Sequence, residues 1–152
     1  MTNITGPVIT CQMLIRKPAS EVFNAFIDPA VTTNFWFTKS SGSLTAGQSV
    51  TWEWEMYGAS APVSVKEIVD NQLIRIEWGD PATTVEFEFN DRKDDTTYVI
   101  IRSYGFKQEG EELISVIIDN TGGFTTVLDG LKAWLEHGLR LNLIGDKFAG
   151  GK

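Results

Sequence analysis

Residues 120–140 read Asn120-Thr-Gly-Gly-Phe-Thr-Thr-Val-Leu-Asp-Gly-Leu-Lys-Ala-Trp-Leu-Glu-His-Gly-Leu-Arg140. Phe124, Val127, Leu128, Leu131, Trp134 and Leu135 recur there at the i, i+3, i+4, i+7 spacing of one helical face. Upstream, from Gly47 to Phe106, apolar and charged residues alternate as in sheet. An amphipathic helix that follows a long run of strands must cover an apolar surface, and the preceding sheet is the nearest one. A helix held across a sheet can leave a space, and that space can hold a ligand.

Working outward, the alternation marks individual strands. Val8 to Lys17 is the first, ended by Pro18. Ser20 fits a helix N-cap with Glu21 in the first turn, and Val22, Phe23, Phe26 and Ile27 form a short apolar helical face. Asp28-Pro29 breaks that helix, because the residue before proline is driven out of the helical region. A second short helix, Ala30 to Phe35, runs into the aromatic stretch Phe35-Trp36-Phe37, and 38–47 reads as a loop. Val50, Trp52, Trp54 and Met56 share one face of the next strand. Pro62–Val69, a strand carrying Ile74, Ile76 and Trp78, one carrying Val85, Phe87 and Phe89, and Tyr98–Phe106 follow, joined by short turns that make neighbours antiparallel. Residues 109–120 favour strand by propensity, yet Leu113, Ile117, Thr121 and Phe124 continue the helical face. The acidic start and basic far end suit a helix dipole, so a helix is expected there, interrupted or kinked at Gly122-Gly123.

Composition narrows the function. The chain of 152 residues suits one domain, 1–152. A net charge of −7 disfavours nucleic acid and anionic lipid. No run of about 18 apolar residues is present, and the amino-terminal residues do not read as a signal peptide. Cys11 is the one cysteine, which excludes an internal disulfide and points to a reducing cytoplasm; it reads as a core residue. One His and one Cys make no metal site, and no phosphate-cradling glycine loop or nucleophile elbow occurs, so no cofactor or metal is expected. Five Trp, three Tyr and nine Phe supply apolar walls that can also orient a ligand.

Three stretches carry a resemblance. They are Lys17-Pro-Ala-Ser-Glu-Val-Phe-Asn-Ala-Phe26, Asn34-Phe-Trp-Phe37, and Asn120-Thr-Gly-Gly-Phe124 with Leu128-Asp-Gly-Leu-Lys-Ala-Trp-Leu-Glu-His137. With the order strand, two short helices, six antiparallel strands, helix, the chain resembles the Activator of Hsp90 ATPase homologue 1-like family. That family lies within the START, Bet v 1 and polyketide-cyclase-like (SRPBCC) superfamily. Phe124 stands where the family usually has Trp. The resemblance implies an α+β helix-grip fold, a curved antiparallel sheet with two short helices and a long C-terminal helix over an apolar cavity. It does not imply one activity.

On that frame the expected ligand-binding wall is Trp36, Phe37, Trp52, Trp54, Trp78, Phe87, Ser103, Phe124, Val127, Leu128 and Leu131. These residues can equally pack solid, since each large apolar side chain gains roughly 1.5–3 kcal/mol on burial. The first reading is a binding protein for a small hydrophobic or aromatic molecule, without catalytic residues. The second is a cyclase- or hydrolase-type enzyme using Glu67 or Tyr104 turned inward. The third is a modulator of an Hsp90-type chaperone. His137, at a helix C-terminus, reads as a capping group. An exposed Trp134 or an unpaired edge strand offers a contact for a homodimer.

Overall fold

The computed structural model describes residues 4–151. Seven strands form one antiparallel sheet in the order β1-β7-β6-β5-β4-β3-β2. They are β1 (Ile9–Ile15), β2 (Lys39–Ser40), β3 (Ser49–Trp54), β4 (Ala59–Val69), β5 (Leu73–Trp78), β6 (Thr83–Asp91) and β7 (Thr97–Tyr104). The helices are α1 (Ala19–Ile27), α2 (Pro29–Thr32), α3 (Gly110–His137) and α4 (Leu143–Lys147), with one 3-10 turn at Glu55–Tyr57. The curved sheet and the long helix α3 across it make a helix-grip fold. No helix among the described residues is long and apolar enough to cross a membrane.

The short helices start differently from expectation. Pro18 caps α1, and its carbonyl accepts from the amides of Glu21 and Val22 at 3.0 and 3.1 Å. Ser20 is therefore inside the first turn, because the fixed φ of proline already sets the approach. Asp28 caps α2 through the Ala30 amide at 3.0 Å. Buried Thr32 ties α2 back to α1 by donating to the Ala25 carbonyl at 2.6 Å.

Helix α3 runs unbroken through Gly122 and Gly123, contrary to the expected interruption. Each glycine costs about 1 kcal/mol of helix propensity. Burial of Phe124, Val127, Leu128 and Leu131 against the sheet outweighs that cost. Gly138, at φ 65°, ends the helix: its amide donates to the Trp134 carbonyl at 2.8 Å, and the Leu139 amide to that of Ala133 at 3.1 Å.

Two irregularities decide which side chains face α3. A bulge between Val65 and Glu67 in β4 shifts the alternation. Val63 and Val65 are buried, Ile68 packs against the core, and Glu67 and Val69 turn to the outer face. The second lies just beyond β7, where Val99, Ile101 and Ser103 are buried. Gly105, at φ 87°, then resets the phase so that Phe106 and Gln108 turn inward while Lys107 is exposed. The 3-10 turn ends the β3 face at Trp54, which leaves Met56 exposed instead of extending that face.

Candidate functional site

A half-open cavity of about 580 Å³ lies between the amino-terminal half of α3, one end of the sheet, and α4. The sheet contributes Trp54 from β3, Ala59 and Ala61 from β4, Trp78 from β5 and Thr83 from β6. Tyr57, Pro81, Phe106 and Gln108 come from the connections. Helix α3 contributes Val116, Asp119, Asn120, Gly123, Phe124 and Val127, and the carboxy-terminal segment Ile144, Lys147 and Phe148.

Five of the expected wall residues border this cavity: Trp36, Trp54, Trp78, Phe124 and Val127. The other six, Phe37, Trp52, Phe87, Ser103, Leu128 and Leu131, are buried beside it and do not border it. The reason is ring packing. Phe37 stacks on Trp52 with centroids 4.6 Å apart, and Trp36 closes on Trp52 at 4.8 Å and on Phe87 at 5.8 Å. That cluster fills the space under α1 and α2. Trp78 sits at its margin, 6.0 Å from Phe124 and 6.1 Å from Trp54, and from there outward the interior is hollow.

The far wall is tied to the 3-10 turn and to α3. The Tyr57 hydroxyl donates to the Ile144 carbonyl, and at 3.3 Å to that of Gly145. Lys147 Nζ donates to Thr126 Oγ1 on α3 at 3.3 Å. Sequence reasoning missed α4, because Leu143 to Lys147 is too short to show a helical period. It also missed Gln108, whose inward turn depends on Gly105. The signal that could have found it is the glycine placed directly after a strict alternation.

The ionisable groups proposed for catalysis lie elsewhere. Glu67 and Tyr104 point to the outer face of the sheet, so the inward turn that the enzymatic reading requires is not made. Arg75 pairs there with Glu67, and through Nε with Glu86 at 2.8 Å. Tyr104 donates to Glu86 Oε2 at 3.1 Å. Burial, then the hydrogen bond and charge of Glu86, push the Tyr104 phenol up, so it stays a donor at neutral pH. Arg102 also faces outward, 3.1 Å from Glu88. His137 is mostly exposed. No group of three or more His, Cys, Asp or Glu that could hold a metal ion occurs among the described residues.

Of the polar side chains at the cavity, Tyr57 and Lys147 are engaged as described, and Asn120 donates to the Val116 carbonyl at 2.8 Å. Gln108 differs: its Oε1 is buried without a hydrogen-bond partner among the described residues.

Solved structures share this architecture. SSP2350, a protein of Staphylococcus saprophyticus, is 28% identical with a TM-score of 0.76, covering 88% of this chain and 94% of its own. DynU16, a protein of the dynemicin biosynthetic locus, is 17% identical with a TM-score of 0.78; the match covers 88% of this chain and 49% of that one. The Aha1 dimer from Colwellia psychrerythraea is 14% identical with a TM-score of 0.74, over 88% and 98% of the two chains. No curated protein matches the sequence. The family model described as Activator of Hsp90 ATPase homolog 1-like protein matches residues 16–136, most of the length, and the chain belongs to that family.

Proposed function

We propose that the protein binds a small, largely apolar molecule in the cavity between the sheet and α3. The observation behind this reading is the hollow of about 580 Å³ walled by Trp36, Trp54, Trp78, Phe106 and Phe124. Sites for small molecules span roughly 300–1,000 Å³ and combine apolar or aromatic walls with a few polar groups. Apolar walls that face water in the free protein are removed from it by a bound ligand, which gains roughly 25 cal/mol per Å² covered. The acid–base residues that an enzymatic reading would use, Glu67 and Tyr104, are paired on the opposite face of the sheet. That leaves recognition as the activity with the best physical support.

Three tryptophans at the wall make intrinsic fluorescence the direct readout. A ligand present at about 100 times its Kd adds about 2.7 kcal/mol of stability. A panel of lipids, polyketides and aromatic compounds is expected to include members that quench the tryptophan signal and raise the melting temperature together. A panel that moves neither quantity removes the reading. An Hsp90-type chaperone as partner is supported only by the family's name; a change in a chaperone's ATPase rate on adding this protein is the measurement that would favour it. A cytoplasmic location is supported by the lone, buried Cys11, which suits a reducing compartment.

A further inference from the structure

Gln108 is the polar side chain at the cavity whose buried oxygen has no partner among the described residues. A buried acceptor left unmade costs about 1–3 kcal/mol, far more than a satisfied one returns. Its position follows from backbone geometry. Gly105 adopts φ 87°, which side-chain-bearing residues rarely take, and the shifted phase brings Phe106 and Gln108 to the cavity together. The other polar liners with known partners are bound to protein: Tyr57 to Ile144, Asn120 to Val116, Lys147 to Thr126. The terminal torsion of a glutamine is broad and roughly two-fold, so a half-turn exchanges the oxygen and nitrogen and lets either end of the amide face the hollow.

We infer that Gln108 reads the polarity of the ligand: the cavity takes an aromatic molecule bearing a neutral hydroxyl, and that hydroxyl pairs with the Gln108 amide. A hydroxyl both donates and accepts, so it matches the amide in either orientation. The rings of Trp54, Trp78, Phe106 and Phe124 receive the apolar body. This rests on the cavity being a ligand site, and it adds the class of ligand.

The test compares 1-hydroxypyrene with 1-methylpyrene, two fluorescent probes of nearly equal shape. Both are titrated at pH 6.5 against the wild type, Gln108→Leu and Gln108→Met, the Met variant covering the case in which Leu fails to fold. The quantity read is the ratio of the two dissociation constants. The wild type is expected to favour the hydroxyl probe by about five- to tenfold more than either variant does, the range of one neutral hydrogen bond. Methylpyrene should bind the variants as well as the wild type, or better. The ligand-free variants should melt at or above the wild type, since an unpaired amide is gone; a merely structural glutamine would lower the melting temperature. An unchanged ratio with both probes bound overturns the inference and leaves the cavity reading standing. Failure of both probes to bind the wild type overturns the inference that the cavity takes a hydroxylated aromatic, while the cavity reading is decided by the wider panel.

Discussion

Gly130 and Gly123 stand in the same helix for opposite reasons. A methyl group on Gly130 would lie 3.1 Å from the Cβ of Phe35 and 3.2 Å from its carbonyl oxygen, closer than ordinary contact. A methyl group on Gly123 would meet nothing within 4 Å. Ala in place of Gly gains about 1 kcal/mol of helix propensity at either site, while overpacking costs about 1–3 kcal/mol. Gly123→Ala is therefore expected to stabilise by about 0.5–1 kcal/mol. Gly130→Ala is expected to destabilise by about 1 kcal/mol or more, since the backbone oxygen of Phe35 cannot simply move aside. Urea denaturation of the two variants checks both signs. If they shift stability in the same direction, the close approach at Phe35 does not govern Gly130. In the sequence the two residues look alike, because a glycine in a helical pattern shows its propensity cost and not its neighbours.

Among the elements, a small polar cluster fastens the carboxy-terminal part of α3 to the end of β1. Lys132 Nζ donates to the Leu14 carbonyl and to Glu136 Oε2, both at 2.7 Å, and the Arg16 amide donates to the same carboxylate oxygen at 2.9 Å. Burial by itself raises the Glu136 carboxyl. The hydrogen bonds from Lys132 and Arg16, with the charges of Lys132 and His137, outweigh it and hold the pKa below the usual carboxylate value. A folded-state pKa below the unfolded one means that the folded protein binds fewer protons there. The contribution is thus complete above the unfolded carboxylate pKa of about 4.3 and fades as pH falls through the folded value. Glu136→Gln is expected to cost about 1–2 kcal/mol at pH 7. The gap between variant and wild type should close in acid, below about pH 4. Denaturation at pH 7 and pH 3 measures this, and a gap that does not narrow in acid rules out the carboxylate as its origin. At this scale the sequence was legible wherever the period stayed regular. The strands of the sheet and the amphipathic stretch of α3 follow from alternation and helical spacing. Parity with Val63, Val65 and Val69 left an inward Glu67 open, because one extra residue at the β4 bulge reverses every later side chain and composition carries no mark of it. Strand β2 went unread because two residues, Lys39 and Ser40, are too few to alternate.

In the whole molecule, filled and hollow regions lie side by side beneath one helix. Alternation tells which face a residue takes but not how far along that face the packing closes. That is why Trp52 and Trp78, on the same apolar face by sequence, part company: Trp52 stacks into the solid cluster and Trp78 borders the void. Gly123 faces the void and makes it experimentally addressable. Gly123→Leu would direct an isobutyl group into the hollow from a Cβ position with nothing within 4 Å. Full burial of a leucine gains roughly 1.5–3 kcal/mol, partial burial less, and the lost glycine adds about 1 kcal/mol of helix propensity. A net stabilisation of about 1–2 kcal/mol is expected, with ligand affinity reduced at least about tenfold by lost volume. Ile118→Leu, on the exposed side of the same helix, is the control and should change neither quantity. A Gly123→Leu protein that melts higher yet binds ligands as the wild type does would place the binding site elsewhere. A variant that gains more stability than Gly123→Ala while losing affinity would mean that the hollow costs the fold stability and serves recognition.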